Sequence, residues 1–170
     1  MALFIPGLPC RLCGKPVASG EERLFPAFCG NEADSVYFYN DAVVHQSCFE
    51  RDPLAPAVEA RLQESLATPL PAHQPCSVCG NLVSRPDEFF SFGHLTNDAG
   101  NRMHAWNYLS FHRECVGRWP ELPSLIGLAE AELASGRWQG PGPTLFVEEL
   151  KNGGRLLPAS RVQRILTPDS

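Results

Sequence analysis

The chain has no excess of positive charge and no long hydrophobic run. Its 14 Lys and Arg stand against 19 Asp and Glu, which gives a formal net charge of −5 at pH 7. Because binding to a phosphate backbone or an anionic membrane takes clustered basic side chains, the composition disfavours both as the main partner. No stretch reaches the roughly 18 uninterrupted apolar residues of a membrane-spanning helix.

Two further absences narrow the class of protein. The 14 Gly and 16 Pro make up less than a fifth of the 170 residues, and 44% of residues are hydrophobic, so the chain is neither low-complexity nor disordered. Residues 1–9 lack the basic start and the uninterrupted apolar run of a secretory signal peptide. Phosphate-binding glycine motifs and a nucleophile elbow are also missing. We therefore expect a folded cytoplasmic protein of one domain or two small ones.

Cysteine, by contrast, is abundant, and six of the seven cysteines fall in an internal repeat. Residues 9–14 read Pro-Cys-Arg-Leu-Cys-Gly, and residues 75–80 read Pro-Cys-Ser-Val-Cys-Gly. Residues 45–48, His-Gln-Ser-Cys, recur as His-Arg-Glu-Cys at 112–115. Since cytoplasmic thiols are kept reduced, this pattern points to metal ligands or reactive groups rather than disulfides.

Each copy therefore consists of Cys-x2-Cys, a gap of 31 or 32 residues, and His-x2-Cys. Two such pairs complete a tetrahedral Cys3His zinc site, and four protein ligands indicate a structural rather than a catalytic ion. Three thiolates and one imidazole disfavour calcium, magnesium and the usual iron–sulfur clusters. Chance burial of cysteines and a thioredoxin-like redox pair are the alternatives. The predicted ligands of two zinc ions per chain are Cys10, Cys13, His45 and Cys48 in the first copy and Cys76, Cys79, His112 and Cys115 in the second.

The residues between and after the ligand pairs predict short strands and helices. Residues 23–28 on one side of a turn cluster, and 36–39 with 42–44 on the other, predict an antiparallel hairpin. The second copy repeats it with residues 88–92 and 105–111. The His-x2-Cys step then begins a helical turn that Pro53 or Pro120 ends. Apolar residues at helical spacing predict helices over 53–67, with Asp52 as its N-cap, and over 121–135. After a Gly-Pro-Gly-Pro linker at 140–143, residues 145–157 predict a β-hairpin with an Asn-Gly turn.

The order of knuckle, hairpin and helical turn, with the last two ligands at the start of the helix, resembles the treble-clef group of zinc fingers. His45-x2-Cys48-Phe49 is similar to the His-x2-Cys-Phe step of LIM-type fingers. This resemblance implies an α+β, zinc-stabilised fold of two tandem treble-clef-like modules, residues 1–70 and 71–140, plus a C-terminal hairpin segment at 141–170. It implies a scaffold and not an activity.

A second resemblance spans the boundary between the copies. Cys48-Phe49-Glu50 followed by Pro75-Cys76-x2-Cys79 resembles the zinc-deaminase pattern, which implies an activated water and Glu50 as proton shuttle. That interpretation leaves Cys10, Cys13, His112 and Cys115 without a role. The residues around Cys76 also predict neither a strand before it nor a helix after it.

We therefore predict a non-catalytic protein-interaction module, either an adaptor or an antitoxin- or immunity-like inhibitor, whose acidic surface binds a basic protein partner. Each bound zinc would add two positive charges and remove three thiol protons, which deepens the negative balance. The alternative is a nucleic-acid reader with a basic and aromatic patch at Arg102, Trp106, Tyr108, Arg113, Arg118 and Trp119.

Four residues that could carry chemistry lie outside the repeated pattern. Cys29 has Leu95 at its aligned position, so we expect a small buried side chain rather than a reactive thiol. His73, His94 and His104 have no counterpart in the other copy, and we expect them at the surface or in loops.

Overall fold

The computed structural model describes residues 5–67, 74–83 and 88–167, which combine helices with short antiparallel strands in an α+β fold, as predicted. The chain divides into two units, unit 1 (residues 1–67) and unit 2 (residues 68–170). Each unit has its own hydrophobic core. In the described part of the chain, no helix has the length and apolar character needed to cross a membrane.

Unit 1 is a two-stranded hairpin followed by two helices. Strand β1 (Glu22–Leu24) pairs antiparallel with β2 (Val43–His45), with Glu22 opposite His45. Helix α1 (Gln46–Phe49) begins directly after β2, and α2 (Ala55–Ala67) comes after a turn. In that turn the Asp52 carboxylate accepts the backbone N–H of Leu54 at 2.8 Å. The helix begins at Ala55 and not at residue 53 as predicted, so Asp52 lies in the turn before it instead of at its N-cap.

The core of unit 1 is built on three aromatic rings. Phe25, Tyr39 and Phe49 are buried, with ring centroids 4.9 to 5.6 Å apart and their planes inclined. Val58 and Leu62 of α2 complete this core. Leu66, at the end of the predicted apolar stripe, is 69% exposed, so the stripe packs through its N-terminal part only.

Unit 2 repeats this plan and extends it. Strand β3 (Phe89–Ser91) pairs with β4 (Ser110–His112), with Phe89 opposite His112. Its helices are α3 (Arg113–Val116), α4 (Leu122–Ala134), α5 (Pro141–Lys151) and α6 (Ala159–Leu166).

The strands β1 to β4 have three residues each and are shorter than predicted, so residues 25–28, for example, are not strand. The prediction of strand is also wrong for residues 36–39 and for 105–106. The structure has 3-10 helices there, Ser35–Tyr39 in unit 1 and Arg102–Trp106 in unit 2. Asp34 accepts the N–H of Val36 at 3.0 Å, and Asn101 accepts the N–H of Met103 at 2.9 Å. These side-chain caps start a helical turn, which overrides the β preference of the aromatic and β-branched residues within it.

The predicted C-terminal β-hairpin and its linker are also wrong. Gly140, at φ +92°, precedes α5, and the prolines of the expected linker occupy the first turn of that helix, where proline is tolerated. Val147 and Leu150 are buried in the core of unit 2 at helical spacing. Gly153 and Gly154 have φ of +66° and +79°, so the Asn-Gly-Gly sequence ends a helix instead of joining two strands.

Candidate metal centres

The four predicted ligands of each copy lie together. In each unit, one ligand atom from each of the three cysteines and the histidine lies within 4.8 Å of the others. Within residues 5–67, 74–83 and 88–167, these are the groups of three or more His, Cys, Asp or Glu side chains that could hold a metal ion. The first cluster is Cys10, Cys13, His45 and Cys48, and the second is Cys76, Cys79, His112 and Cys115.

The Cys-x2-Cys-Gly sequence places its two sulfurs through a tight turn. In unit 1 the N–H of Gly14 donates to the carbonyl of Cys10 at 2.8 Å, and Gly14 has φ +73°. Gly80 makes the same bond to Cys76 at 2.8 Å, with φ +76°. Glycine adopts this left-handed backbone without a steric penalty, which explains why Gly comes after the second cysteine in both copies.

The hairpin brings the second ligand pair to this turn. β2 ends at His45, and α1 then places Cys48 three residues further on, on the same face as His45. The backbone N–H of His45 donates to Cys10 Sγ at 3.4 Å, and that of His112 donates to Cys76 Sγ at 3.4 Å. The N–H of Arg11 also donates to the carbonyl of Val43 at 3.0 Å, and that of Ser77 to the carbonyl of Ser110 at 2.9 Å, so these bonds hold each Cys-x2-Cys turn beside the strand that ends at the histidine.

The orientation of His45 suits metal binding. Its Nε2 lies 3.1 Å from the carbonyl oxygen of Pro16, which can only accept a hydrogen bond, so Nε2 carries the proton. Its Nδ1, 3.5 Å from Cys13 Sγ and 3.8 Å from Cys48 Sγ, then presents a lone pair to the sulfurs. In unit 2, His112 Nδ1 lies 3.4 Å from Cys79 Sγ.

The first cysteine of each cluster ionises more readily than a free cysteine. Burial by itself would raise the pKa of Cys10, but backbone N–H donors, that of His45 foremost, lower this pKa to about 6. Opposed by the same burial, backbone donors also lower the pKa of Cys76 to about 6. Because the thiolate is the form that binds metal, each cluster offers one sulfur already close to that form at neutral pH.

The last cysteine of each cluster behaves in the opposite way. Burial, together with the neighbouring cysteine sulfurs, raises the pKa of Cys48 and of Cys115, although a hydrogen bond from Arg118 opposes the rise at Cys115. Several thiolates at this spacing repel one another, which disfavours their ionisation. A cation bound among them would lower the pKa of these thiols instead of raising it. Three sulfurs and one imidazole nitrogen suit zinc and not calcium or magnesium.

No family model, curated protein or solved structure matches this chain. Its own residues are therefore the basis on which a function can be assigned.

The structure gives the cysteines of the zinc-deaminase pattern partners within their own units. Cys48 belongs to the first cluster, whereas Cys76 and Cys79 belong to the second. The carboxylate of Glu50 is exposed and accepts a hydrogen bond from Gln46 at 2.9 Å. The resemblance across the boundary between the copies is thus a matter of spacing alone.

Two of the three aromatic residues of the predicted nucleic-acid patch, Trp106 and Trp119, lie in the core of unit 2, whereas Tyr108 is half-buried. Trp106 and Trp119 are 7% and 8% exposed and pack edge to face with ring centroids 5.4 Å apart. Arg102 pairs with Glu121 at 2.5 Å. Because bases stack on exposed rings, this arrangement does not favour single-strand binding through these tryptophans.

Two asparagines have a structural role that the sequence alone did not reveal. Asn40 Oδ1 accepts the N–H groups of Phe28 and Cys29, both at 3.0 Å, and its amide nitrogen donates to the carbonyl of Cys29. In unit 2, Asn107 makes the same three bonds to Leu95 and Thr96, so the counterpart of Cys29 is Thr96 and the alignment of Cys29 with Leu95 is wrong by one residue. The occurrence of Asn at aligned positions of both copies was the signal that could have identified them.

The cysteine outside the clusters is buried, as predicted. Cys29 is 9% exposed, and burial raises the pKa of its thiol. His104 is exposed, and His94 is half-buried with its Nδ1 3.4 Å from Tyr108 Oη. His73 lies outside the described residues.

Proposed function

We propose that the chain is a non-catalytic protein in which each Cys3His cluster binds one zinc ion as part of its structure, in two tandem modules of the treble-clef type. The observation that carries this proposal is the convergence of four soft protein ligands in each unit. Four protein ligands complete a tetrahedron and leave no position for an activated water, whereas catalytic zinc sites commonly have three. Bound zinc would stabilise units whose strands are only three residues long.

We further propose that these modules serve as a rigid scaffold for binding another protein, as an adaptor or as an inhibitor of the antitoxin or immunity type. Surface charge supports a basic partner. In the described part of unit 1, three basic side chains are exposed, while Arg23 and Arg61 are held by Glu59 and Asp34. The exposed carboxylates of unit 1 are Glu21, Glu32, Asp41, Glu50 and Glu64. Such a surface would steer a basic partner toward the scaffold.

The proposed role requires reduced cysteines. All seven cysteines are free of disulfide bonds. A reducing compartment keeps thiols available to zinc, and we therefore propose a cytoplasmic location.

Metal content tests the zinc proposal. Elemental analysis of the purified chain should give two zinc ions per molecule, and His112→Ala should give one, because it removes a ligand of the second cluster only. Cys29→Ala is the matched control, since Cys29 is a buried cysteine outside both clusters, and it should keep two. Fewer than two zinc ions in the unmodified chain, or a loss in Cys29→Ala, would contradict the proposal.

Capture of partners from source cells tests the interaction proposal. Replacement of Glu21 and Glu32 by Lys should abolish capture of a basic protein while the zinc content stays at two. The captured complex should also weaken as salt is raised, because exposed charges are screened. A partner that binds equally well at high salt and to the charge-reversed chain would show that the acidic surface is not the binding surface.

A further inference from the structure

The two clusters have matching ligands but different surroundings. We propose that the first cluster exchanges its zinc with solution and is the thiol-reactive site of the chain, whereas the second retains its zinc. This inference rests on the proposed binding of zinc at both clusters. The differences concern the fourth ligand, the side chain next to it, and the segment that packs on the helix carrying it.

Burial of the fourth ligand differs between the clusters. Cys115 is 1% exposed, whereas Cys48, at the aligned position, is partly exposed. Cys13 and Cys79 are both exposed, so they do not distinguish the sites. A chelator or an electrophile can reach a second sulfur in the first cluster but not in the second.

An open cavity of about 610 Å³ lies directly beside the first cluster. Three of the four ligands line it, namely Cys13, His45 and Cys48. Two basic and two acidic side chains also line it, namely Lys15, Arg51, Glu21 and Glu50, so its lining carries no excess charge that would repel a chelator. The cavity leaves room for a small molecule to approach the position between the sulfurs where a metal ion would bind. A chelator needs this access to replace a protein ligand.

The aligned arginines Arg51 and Arg118 make different contacts. Arg118 Nη2 donates to Cys115 Sγ at 3.0 Å. Arg51 Nε donates instead to the carbonyl of Ser47 at 2.8 Å. A charged donor on a coordinating thiolate offsets its negative charge and holds it in place, so Arg118 is a positioning residue for the second site.

The second cluster is also closed by a segment that we call the C-terminal cover, consisting of α5 and the turn at residues 152–154. Arg113 of α3 donates to the carbonyl of Gly154 at 2.6 Å. Gly154 lies so close to α3 that a Cβ there would be 2.5 Å from Val116 Cγ2. At the position aligned with Arg113, the side chain of Gln46 donates to Glu50, four residues further along the chain.

Because of the cover, more contacts must break to release Cys115 from a bound zinc ion than to release Cys48. α3 is too short to be stable by itself, so its position depends on the residues that pack against it. Fraying of α3 would break the bond from Arg113 and separate Val116 from the cover, whose Val147 and Leu150 are anchored in the core. Partners of this kind change metal affinity by about 10- to 100-fold, so we expect release rates that differ at least about tenfold.

The tryptophans provide a way to assign the two release events. Trp106, Trp119 and Trp138 all lie in unit 2 and belong to its core. The full chain loaded with two zinc ions is mixed with a chromogenic zinc chelator at neutral pH. The first equivalent should be released rapidly with unchanged tryptophan emission, and the second slowly with a change in emission. N-ethylmaleimide added during the fast phase should modify Cys13 and Cys48, as mapped by mass spectrometry.

Variants of the two arginines test the role of the guanidinium. Arg118→Ala should accelerate the slow phase by about tenfold or more, and Arg118→Lys should restore part of the difference because it keeps a cationic donor. Arg51→Ala is the matched control and should leave the fast phase unchanged. In the cobalt-substituted protein, Arg118→Ala should also shift the thiolate-to-cobalt charge-transfer band, which a loss of packing elsewhere would not do.

The possible outcomes distinguish a failure of this inference from a failure of the proposed binding of two zinc ions. Release of both equivalents in one phase, or a tryptophan change with the first equivalent, would overturn the inference while leaving two zinc sites in place. Fewer than two zinc ions before chelation would overturn the proposed function instead. If Arg118→Ala does not fold, the two phases of the unmodified chain and the Arg118→Lys variant decide the question.

Discussion

Units 1 and 2 build their clusters with the same local devices and then diverge. Both use a Cys-x2-Cys-Gly turn, a three-residue strand ending at histidine, and a one-turn helix carrying the last cysteine. After that helix, unit 1 continues into α2 alone, whereas unit 2 adds α4, α5 and α6. The comparison teaches that ligand placement is encoded within the repeated residues, while protection of the ligands comes from the helices C-terminal to them.

The largest expected effect is the loss of one zinc site at a time. Cys76→Ser should remove the zinc of unit 2 and unfold that unit, because a structural zinc supplies roughly 10 to 16 kcal/mol of apparent folding free energy. Tryptophan emission should shift to longer wavelength, since all three tryptophans are in unit 2.

Cys10→Ser is the partner variant in unit 1. It should also lose one zinc ion, but the tryptophan emission should stay as in the unmodified chain because the cores are separate. An equal shift of emission in both variants would show that the two units do not fold independently.

The contact between Gly154 and Val116 gives the next largest effect, and it has no counterpart in unit 1. Gly154→Ala would place a Cβ 2.5 Å from Val116 Cγ2 at a backbone φ of +79°. Backbone strain and overpacking should together lower the unfolding free energy of unit 2 by about 2 to 4 kcal/mol. Denaturant unfolding followed by tryptophan emission measures this change.

Gly136→Ala, in the same unit, measures the effect of backbone strain without a steric clash. Gly136 has φ +74°, but its Cβ would only reach ordinary contact with Gln139 at 3.6 Å. We expect a loss of about 1 to 2 kcal/mol from backbone strain alone. Equal losses in the two variants would mean that the cover does not press on α3.

Asn40 and Asn107 should behave alike, in contrast to the cover. Asn40→Ala and Asn107→Ala each leave two backbone N–H groups and one carbonyl without their partner. We expect each variant to destabilise its own unit by about 1 to 3 kcal/mol. Amide hydrogen exchange, resolved by unit, measures both losses.

The conservative variants Asn40→Asp and Asn107→Asp serve as controls. Each keeps an oxygen that accepts the two N–H groups, but it turns a charged oxygen toward the carbonyl of Cys29 or Thr96, so only part of the stabilisation should remain. A strong effect in one unit and none in the other would show that the matching hydrogen bonds have different importance.

The ligand clusters could be predicted from the sequence because the repeat compares the chain with itself. Aligned spacing singled out six cysteines and two histidines without any knowledge of the fold. The hairpins were predicted correctly near the ligands, where β-branched and aromatic residues pair, as at Val43 and Phe89. Their middle parts were not, because a single hydrogen bond to Asp34 or Asn101 turns the chain into a 3-10 helix.

The C-terminal error has a different physical origin. Asn152-Gly153 is a strong signal for a two-residue hairpin turn, but glycine with positive φ ends helices equally well. The choice between the two depends on burial of Val147 and Leu150 in the unit 2 core, which a local signal does not contain. The closure of the second cluster was missed for the same reason, since it depends on Gly154 meeting Val116 across the fold.

The smallest expected effect concerns a charge within the C-terminal cover. Burial raises the pKa of Glu149, and the nearby Arg113, 3.8 Å away, only partly opposes this rise. A carboxyl group whose pKa is higher in the folded than in the unfolded state binds its proton more tightly in the folded state. Its ionisation therefore lowers the stability of the fold as the pH rises through that pKa. Glu149→Gln should therefore stabilise unit 2 at neutral pH by at most about 0.5 kcal/mol, given its partial exposure.

The pH dependence of this gain distinguishes ionisation from packing. It should shrink as the pH falls and Glu149 of the unmodified chain takes up its proton, over the range in which two zinc ions stay bound. Tryptophan-detected unfolding at several pH values measures it. If the gain were constant with pH, the charge on Glu149 would not be its cause. A loss of stability in Glu149→Gln would instead show that the pairing with Arg113 stabilises unit 2 more than burial of the carboxylate destabilises it.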